Sequence, residues 1–115
     1  MAVAEITNLI IEKGTFFEAT FNLFEPDSSA VNLTGLSTTY ARIRKFPSAT
    51  DFEEFGKTIT IGTGTIKLTL TEDQTSRLKE GRNYFDVVIT MNNKKLKVIK
   101  GTAIVEESAS VWPIK

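Results

Sequence analysis

The chain of 115 residues contains neither cysteine nor histidine. Without cysteine there is no disulfide framework, thiolate nucleophile or thiolate metal site. Without histidine the most common general base, the Ser-His-Asp triad and every imidazole-ligated metal centre are excluded as well. Carboxylates, lysines, tyrosines and hydroxyls remain, the raw material of a glycosidase or a Lys-based mechanism. In so short a chain they predict a non-enzymatic protein with no catalytic residue, metal or cofactor. An excess of either charge is missing too, because 14 basic residues balance 14 acidic ones. With no net positive field and no basic block, the electrostatic term that drives nucleic-acid binding is absent, and no nucleic-acid partner is expected. No apolar run is long enough to span a bilayer, so no membrane association is expected either.

The opening MAVAEITNLIIEKG lacks a basic n-region and a long apolar h-region, with Glu5, Thr7 and Asn8 interrupting it early. It predicts a chain that stays out of the secretory pathway. That bears on NLTGLSTTYARIRK, whose first three residues spell an N-glycosylation acceptor. In a chain made in the cytoplasm the acceptor goes unused. Asn32, Leu33 and Thr34 then read as a turn whose short polar side chains bond the local backbone, with Gly35 supplying conformational freedom.

What is present is period-two alternation. In residues 15–24, TFFEATFNLF, Phe17, Ala19, Phe21 and Leu23 share one face and Phe16, Glu18, Thr20 and Asn22 the other, as in a half-buried strand. Ala41 and Ile43 oppose Arg42 and Arg44 in the same way. Ile59 and Ile61, then Ile66, Leu68 and Leu70, read as two short strands about a glycine turn at residues 62–64. The segment TEDQTSRLKEG carries the helical signal: a capping box from Thr71 to Gln74, acids Glu72 and Asp73 in the first turn, and Gly81 as the stop.

Residues 83–91 place Phe85, Val87, Ile89 and Met91 opposite Tyr84, Asp86 and Thr90, and Asn92-Asn93 tolerates the positive φ of a hairpin turn into KKLKVIKGTAIVE. The apolar phase slips between Val98 and Ile99 with Gly101 close behind, which predicts a bulge or bend. Leu9, Ile10 and Ile11 form a first strand of undetermined phase, and residues 47–57, PSATDFEEFGK, read as a surface loop. About seven strands, hairpin signals and one short crossover helix predict an all-β, immunoglobulin-like antiparallel sandwich over residues 1–107, with residues 108–115 as a tail; an open barrel is the alternative.

Two runs carry a resemblance: Leu33-Thr34-Gly35 leading into Ala41-Arg42-Ile43-Arg44, and Asp73-Gln74-Thr75 with Leu78 and Gly81 leading into Tyr84-Phe85-Asp86. In this order the chain resembles the N-terminal immunoglobulin-like module of BppU-type bacteriophage tail and baseplate proteins. That resemblance implies a virion component, made in the host cytoplasm, whose partners are other virion proteins or further copies of itself. Longer members carry a fibre, coiled-coil or receptor-binding segment after the module, and none is expected here.

Individual side chains each have two readings. Asp51, Glu53 and Glu54 have neither the fixed separation of a glycosidase pair nor the ligand spacing of an EF-hand, and read as a solvated acidic loop. Phe46, Phe52 and Phe55 pack onto the core or present aromatic anchors to a neighbouring protein, with Phe52 and Phe55 the partner-binding candidates. Asp86 points to solvent or accepts a hydrogen bond from Arg42 or Arg44. Lys94, Lys95, Lys97 and Lys100 protect a hairpin edge or contact phosphate or an anionic glycan. In the tail, Val111, Trp112, Pro113 and Ile114 are apolar enough to fold back or to dock on a neighbouring subunit. Exposed Tyr40, Tyr84 and Trp112 support the alternative of a small carbohydrate- or host-receptor-binding module.

Overall fold

A computed structural model describes residues 5–24, 27, 29, 32–46, 48 and 50–107. Its strands form two sheets packed face to face. β1 (Glu5–Lys13), β3 (Leu36–Arg44), β4 (Glu53–Glu54), β7 (Gly81–Met91) and β8 (Lys94–Glu107) form one sheet in the order β1-β8-β7-β3-β4. β2 (Phe17–Asn22), β5 (Gly56–Thr60) and β6 (Thr65–Leu70) form the other in the order β2-β6-β5. A 3-10 turn at Ile61–Thr63 joins β5 to β6, and α1 (Glu72–Arg77) carries the chain from the small sheet to the large one. The all-β sandwich expected from alternation is therefore present, with eight strands among the described residues.

Alternation sets the inner faces. Ala41 and Ile43 of β3, Phe85, Val87 and Ile89 of β7 and Ala103 and Val105 of β8 are buried, and they meet Phe21 of β2 and Ile66, Leu68 and Leu70 of β6. In β1 the phase is resolved: Ile11 is fully buried whereas Ile10 is 66% exposed. β1 also pairs parallel to β8, from Glu5 opposite Ile99 to Lys13 opposite Glu107, in a sandwich whose other pairings are antiparallel. Pairing between strands at opposite ends of a chain leaves no local turn signal for a sequence reading to find.

The phase slip in β8 is a bulge. Val87 faces Ile99 but Val88 faces Lys97, so Val98 is the extra residue, and both Val98 and Ile99 are buried. Two residues on, Gly101 lies so close to β1 that a Cβ there would fall on the carbonyl oxygen of Thr7. The β7–β8 hairpin turns through Asn92 and Asn93, at φ 52° and 65°.

The acceptor triplet is the turn its residue types predict. Asn32 Oδ1 accepts hydrogen bonds from the Thr34 backbone N–H at 2.9 Å and the Thr34 hydroxyl at 2.6 Å, and Gly35 follows at φ 94°. Leu33 between them is fully buried, its N–H donating to the Ile61 carbonyl.

Two expectations are corrected. The helix ends at Arg77, not at Gly81: Leu78 is its extended C-cap, and Gly81, at φ 92°, opens β7 instead. Side chains satisfy the carbonyls between them, the buried Asn83 amide donating to Lys79 and Gly81 and the Lys45 ammonium to Glu80 and Arg82. The predicted start is present: Thr71 and Gln74 form the reciprocal capping box. The helix is fastened by Thr75, fully buried, whose hydroxyl accepts from the Gly14 N–H and donates toward the carbonyls of Thr15 and Glu72.

The other correction concerns residues 47–57. They include β4 and the start of β5, and between these two strands the chain passes from one sheet to the other at Phe55. Phe55 is 1% exposed, its ring 6.3 Å from that of Phe17 and 6.2 Å, edge-on, from that of Phe85. Its N–H donates to the Ala41 carbonyl at 2.9 Å.

Two substitutions test this frame. Phe55→Ala should cost about 3–5 kcal/mol by chemical denaturation, because the site is closed on both sides by aromatic rings. Gly101→Ala should deprotect β1 amides in hydrogen exchange more than those of the β7–β8 hairpin, since the added methyl would collide with the Thr7 carbonyl of β1 and press only lightly on the Phe85 ring of β7.

Candidate functional site on the outer face of the large sheet

The outward positions of β3, β7 and β8 form a grid. Arg44, Tyr84 and Thr102 make one row by register, Arg42, Asp86 and Lys100 the next, and Tyr40, Val88 and Lys97 the third. Strand spacing and rise give this grid a footprint of about 10 by 14 Å. With Lys95 it lines an open basin of about 630 Å³, bearing five cations and one carboxylate. The chain as a whole has no net charge, so basic residues are concentrated on this face.

The arginines are held in place. The Arg42 Nε–H donates to Glu54 Oε1 at 2.9 Å, and its guanidinium carbon lies 4.2 Å from the ring centre of Phe52 and 5.4 Å from that of Tyr40. Arg44 stacks on the same Phe52 ring at 4.7 Å. Glu54 gathers three donors: Arg42, the Ala41 backbone N–H at 3.1 Å and the Lys57 ammonium at 3.0 Å. Partial burial works against its charge, but these hydrogen bonds prevail and hold its carboxyl below the ordinary glutamate value.

The sequence candidates separate accordingly. Glu53 and Glu54 are ion-pair partners, Glu53 of Arg77 at 3.0 Å and Glu54 of Arg42 and Lys57. Among the described residues no three carboxylates converge as a metal site requires. Asp86 pairs with Lys97 at 3.3 Å, across to β8, whereas Arg42 on the other neighbouring strand is taken by Glu54.

Lys95 and Lys97 precede the point where β1 joins β8, and Lys100 lies inside the paired region, so the cluster belongs to a sheet face as much as to an edge. Phe52, 41% exposed, sits at the rim beneath both guanidinium groups, while Phe55 is a core side chain. Phe46 is exposed. Tyr40 is on the grid with one side of its ring near Arg42, and Tyr84 is on the next strand. Val111, Trp112, Pro113 and Ile114 lie outside the described residues. The gathering of Lys95, Lys97 and Lys100 with Arg42 and Arg44 escapes a linear reading, because it depends on β7 lying between β3 and β8.

The far end of the sheet is acidic. Glu12 and Glu106 are register partners, and Glu107 is beside Glu80, whose carboxylate raises the Glu107 pKa while Lys13 offsets it in part. Among the described residues no helix is long and apolar enough to cross a membrane.

No family model matches the chain, and no curated protein matches it. Among solved structures the fold is similar to the N-terminal domain of phage TP901-1 ORF48, at 15% sequence identity and a TM-score of 0.55, covering 88% of this chain and 84% of that one.

The two ends of the sheet should respond oppositely to pH. The stabilisation from Glu54, whose pKa is lowered, is present above the unfolded value of about 4.3 and lost as pH falls through the folded value. Screened at a partly exposed site it amounts to about 1 kcal/mol, so Glu54→Gln should be less stable by that amount at pH 7 and indistinguishable once acid has protonated Glu54 in the folded chain. Glu107 has a raised pKa, so its repulsion with Glu80 is absent in acid and lowers stability as pH rises through that value. Glu80→Gln should therefore raise the melting temperature at pH 7 and leave it unchanged in acid.

Proposed function

We propose that this chain is a non-enzymatic structural component of a bacteriophage particle, an immunoglobulin-like module of a tail, baseplate or appendage that works through protein–protein contacts. The observation that carries this reading is the fold likeness to a domain of a phage protein over 88% of the chain. The ordered motifs from Leu33 to Arg44 and from Asp73 to Asp86 support the finer comparison with the N-terminal module of BppU-type proteins. The charged outer face of the large sheet fits assembly, since complementary charge across an interface fixes register between partners.

In this reading the module spans residues 1–107, the chain is made in the host cytoplasm, and its partners are other virion proteins or copies of itself. Phe52 at the rim offers an aromatic contact, whereas Phe55 serves the core. Residues 108–115, with Val111, Trp112, Pro113 and Ile114, add to the edge or groove of a neighbour.

Immunogold labelling and mass spectrometry of purified phage particles should place the protein at a fixed position in the virion; its absence from particles, with the protein abundant in the lysate, would overturn the reading. Removing residues 108–115 should leave a folded domain of lower oligomeric mass by light scattering. An unchanged mass would exclude the tail from self-assembly.

A further inference from the structure

Resting on that reading, we infer that the outer face of the large sheet is the docking surface for a neighbouring particle protein, and that the docking element is an acidic helix or loop ending in an aliphatic side chain. The face is unevenly supplied with counterions. Arg42 and Lys97 have carboxylate partners, but among the described residues Lys95 and Lys100 form no ion pair. These two ammonium groups flank Asp86–Lys97 and leave positive charge for an incoming carboxylate to meet. Arg42 next to them is held by Phe52 and Glu54, so its guanidinium loses little freedom when an incoming acid arrives.

The outward residues of β8 define a direction. Lysines at 95, 97 and 100 give way to Thr102, then to Ile104 beside the exposed Ile10 of β1, then to Glu106 beside Glu12. An occupant that matches this series carries carboxylates at the lysine end and an apolar group over Ile10. The footprint of about 10 by 14 Å suits one helix, about 10 Å across, or a short loop.

Other polyanions fit less well. A nucleic acid continues past the lysines with the same charge and meets Glu106 and Glu12. A sugar ring needs an open aromatic face and acceptors for its hydroxyl protons. Tyr40 has the Arg42 guanidinium against its ring, Tyr84 is half-buried between its strand neighbours Arg44 and Thr102, and Asp86, the basin's one carboxylate, is engaged by Lys97.

The test is titration of the isotope-labelled full chain with an octaglutamate peptide carrying a C-terminal leucine, followed by amide chemical shifts. Shifts confined to β3, β7 and β8 around Arg42, Lys95 and Lys100 are expected. Affinity should fall at least about tenfold in Lys95→Glu/Lys100→Glu and in the milder Lys95→Gln/Lys100→Gln, but not in Lys67→Glu on the other sheet. A heparin-derived oligosaccharide or an oligothymidine that binds this face more tightly than the peptide would overturn the inference, as would shifts that ignore the lysine substitutions or an absence of shifts. Detection of the protein in particles together with any of those results would leave the structural role standing and remove only this surface from it.

Discussion

The passage of the chain from one sheet to the other at Phe55 is the constraint on which the rest of the architecture depends. β4 belongs to the large sheet and β5 to the small one, with a single residue between them. A phenyl ring at that corner fills the space between the sheets, touching Phe17 on one and Phe85 on the other. Because side chains alternate along extended chain, burying Phe55 turns Glu54 outward, where it binds Arg42, Lys57 and the Ala41 N–H. The core therefore positions the charged face: the ring that closes the sandwich also sets the carboxylate that orients the arginine.

β8 has the corresponding role at the other side of the sheet. Its bulge at Val98 changes which residues point outward, so that Lys97 and Lys100, three apart in sequence, share the outer face, whereas strict alternation would separate them. Gly101 then allows β1 to close against the strand, and that parallel pairing brings Ile10 and Glu12 alongside Ile104 and Glu106. One irregularity in one strand thus assembles the lysines, and one missing side chain allows the apolar and acidic end to be built next to them.

Local order was legible and long-range order was not. The faces of β2, β3 and β7, the Asn92-Asn93 turn, the capping box, the bulge and the Asn32 turn all follow from residues within a few positions of one another, where sterics and short hydrogen bonds decide. The end of α1 was misplaced because Asn83 and Lys45, remote from the helix signal, take the carbonyls that a longer helix would have used. Residues 47–57 read as a loop because a two-residue strand shows no period, and Phe55 acquires its role from rings 38 and 30 residues away in sequence, at Phe17 and Phe85. The basin was hidden for the same reason. Its arginines and lysines belong to strands separated in the chain and joined only by β7.

Zero net charge is a property of the sum, and a folded sheet distributes it unevenly. Fourteen charges of each sign, placed by strand register, leave cations over one region of the outer face and Glu12, Glu80, Glu106 and Glu107 at its end. At physiological ionic strength the Debye length is about 8 Å, shorter than the grid itself, so an approaching surface meets these regions one at a time and not their total. A neutral chain can therefore present a strongly signed face. The absence of net charge argues against a long polyanion as partner, but it carries no such weight against a compact acidic element small enough to contact the lysines without reaching the glutamates.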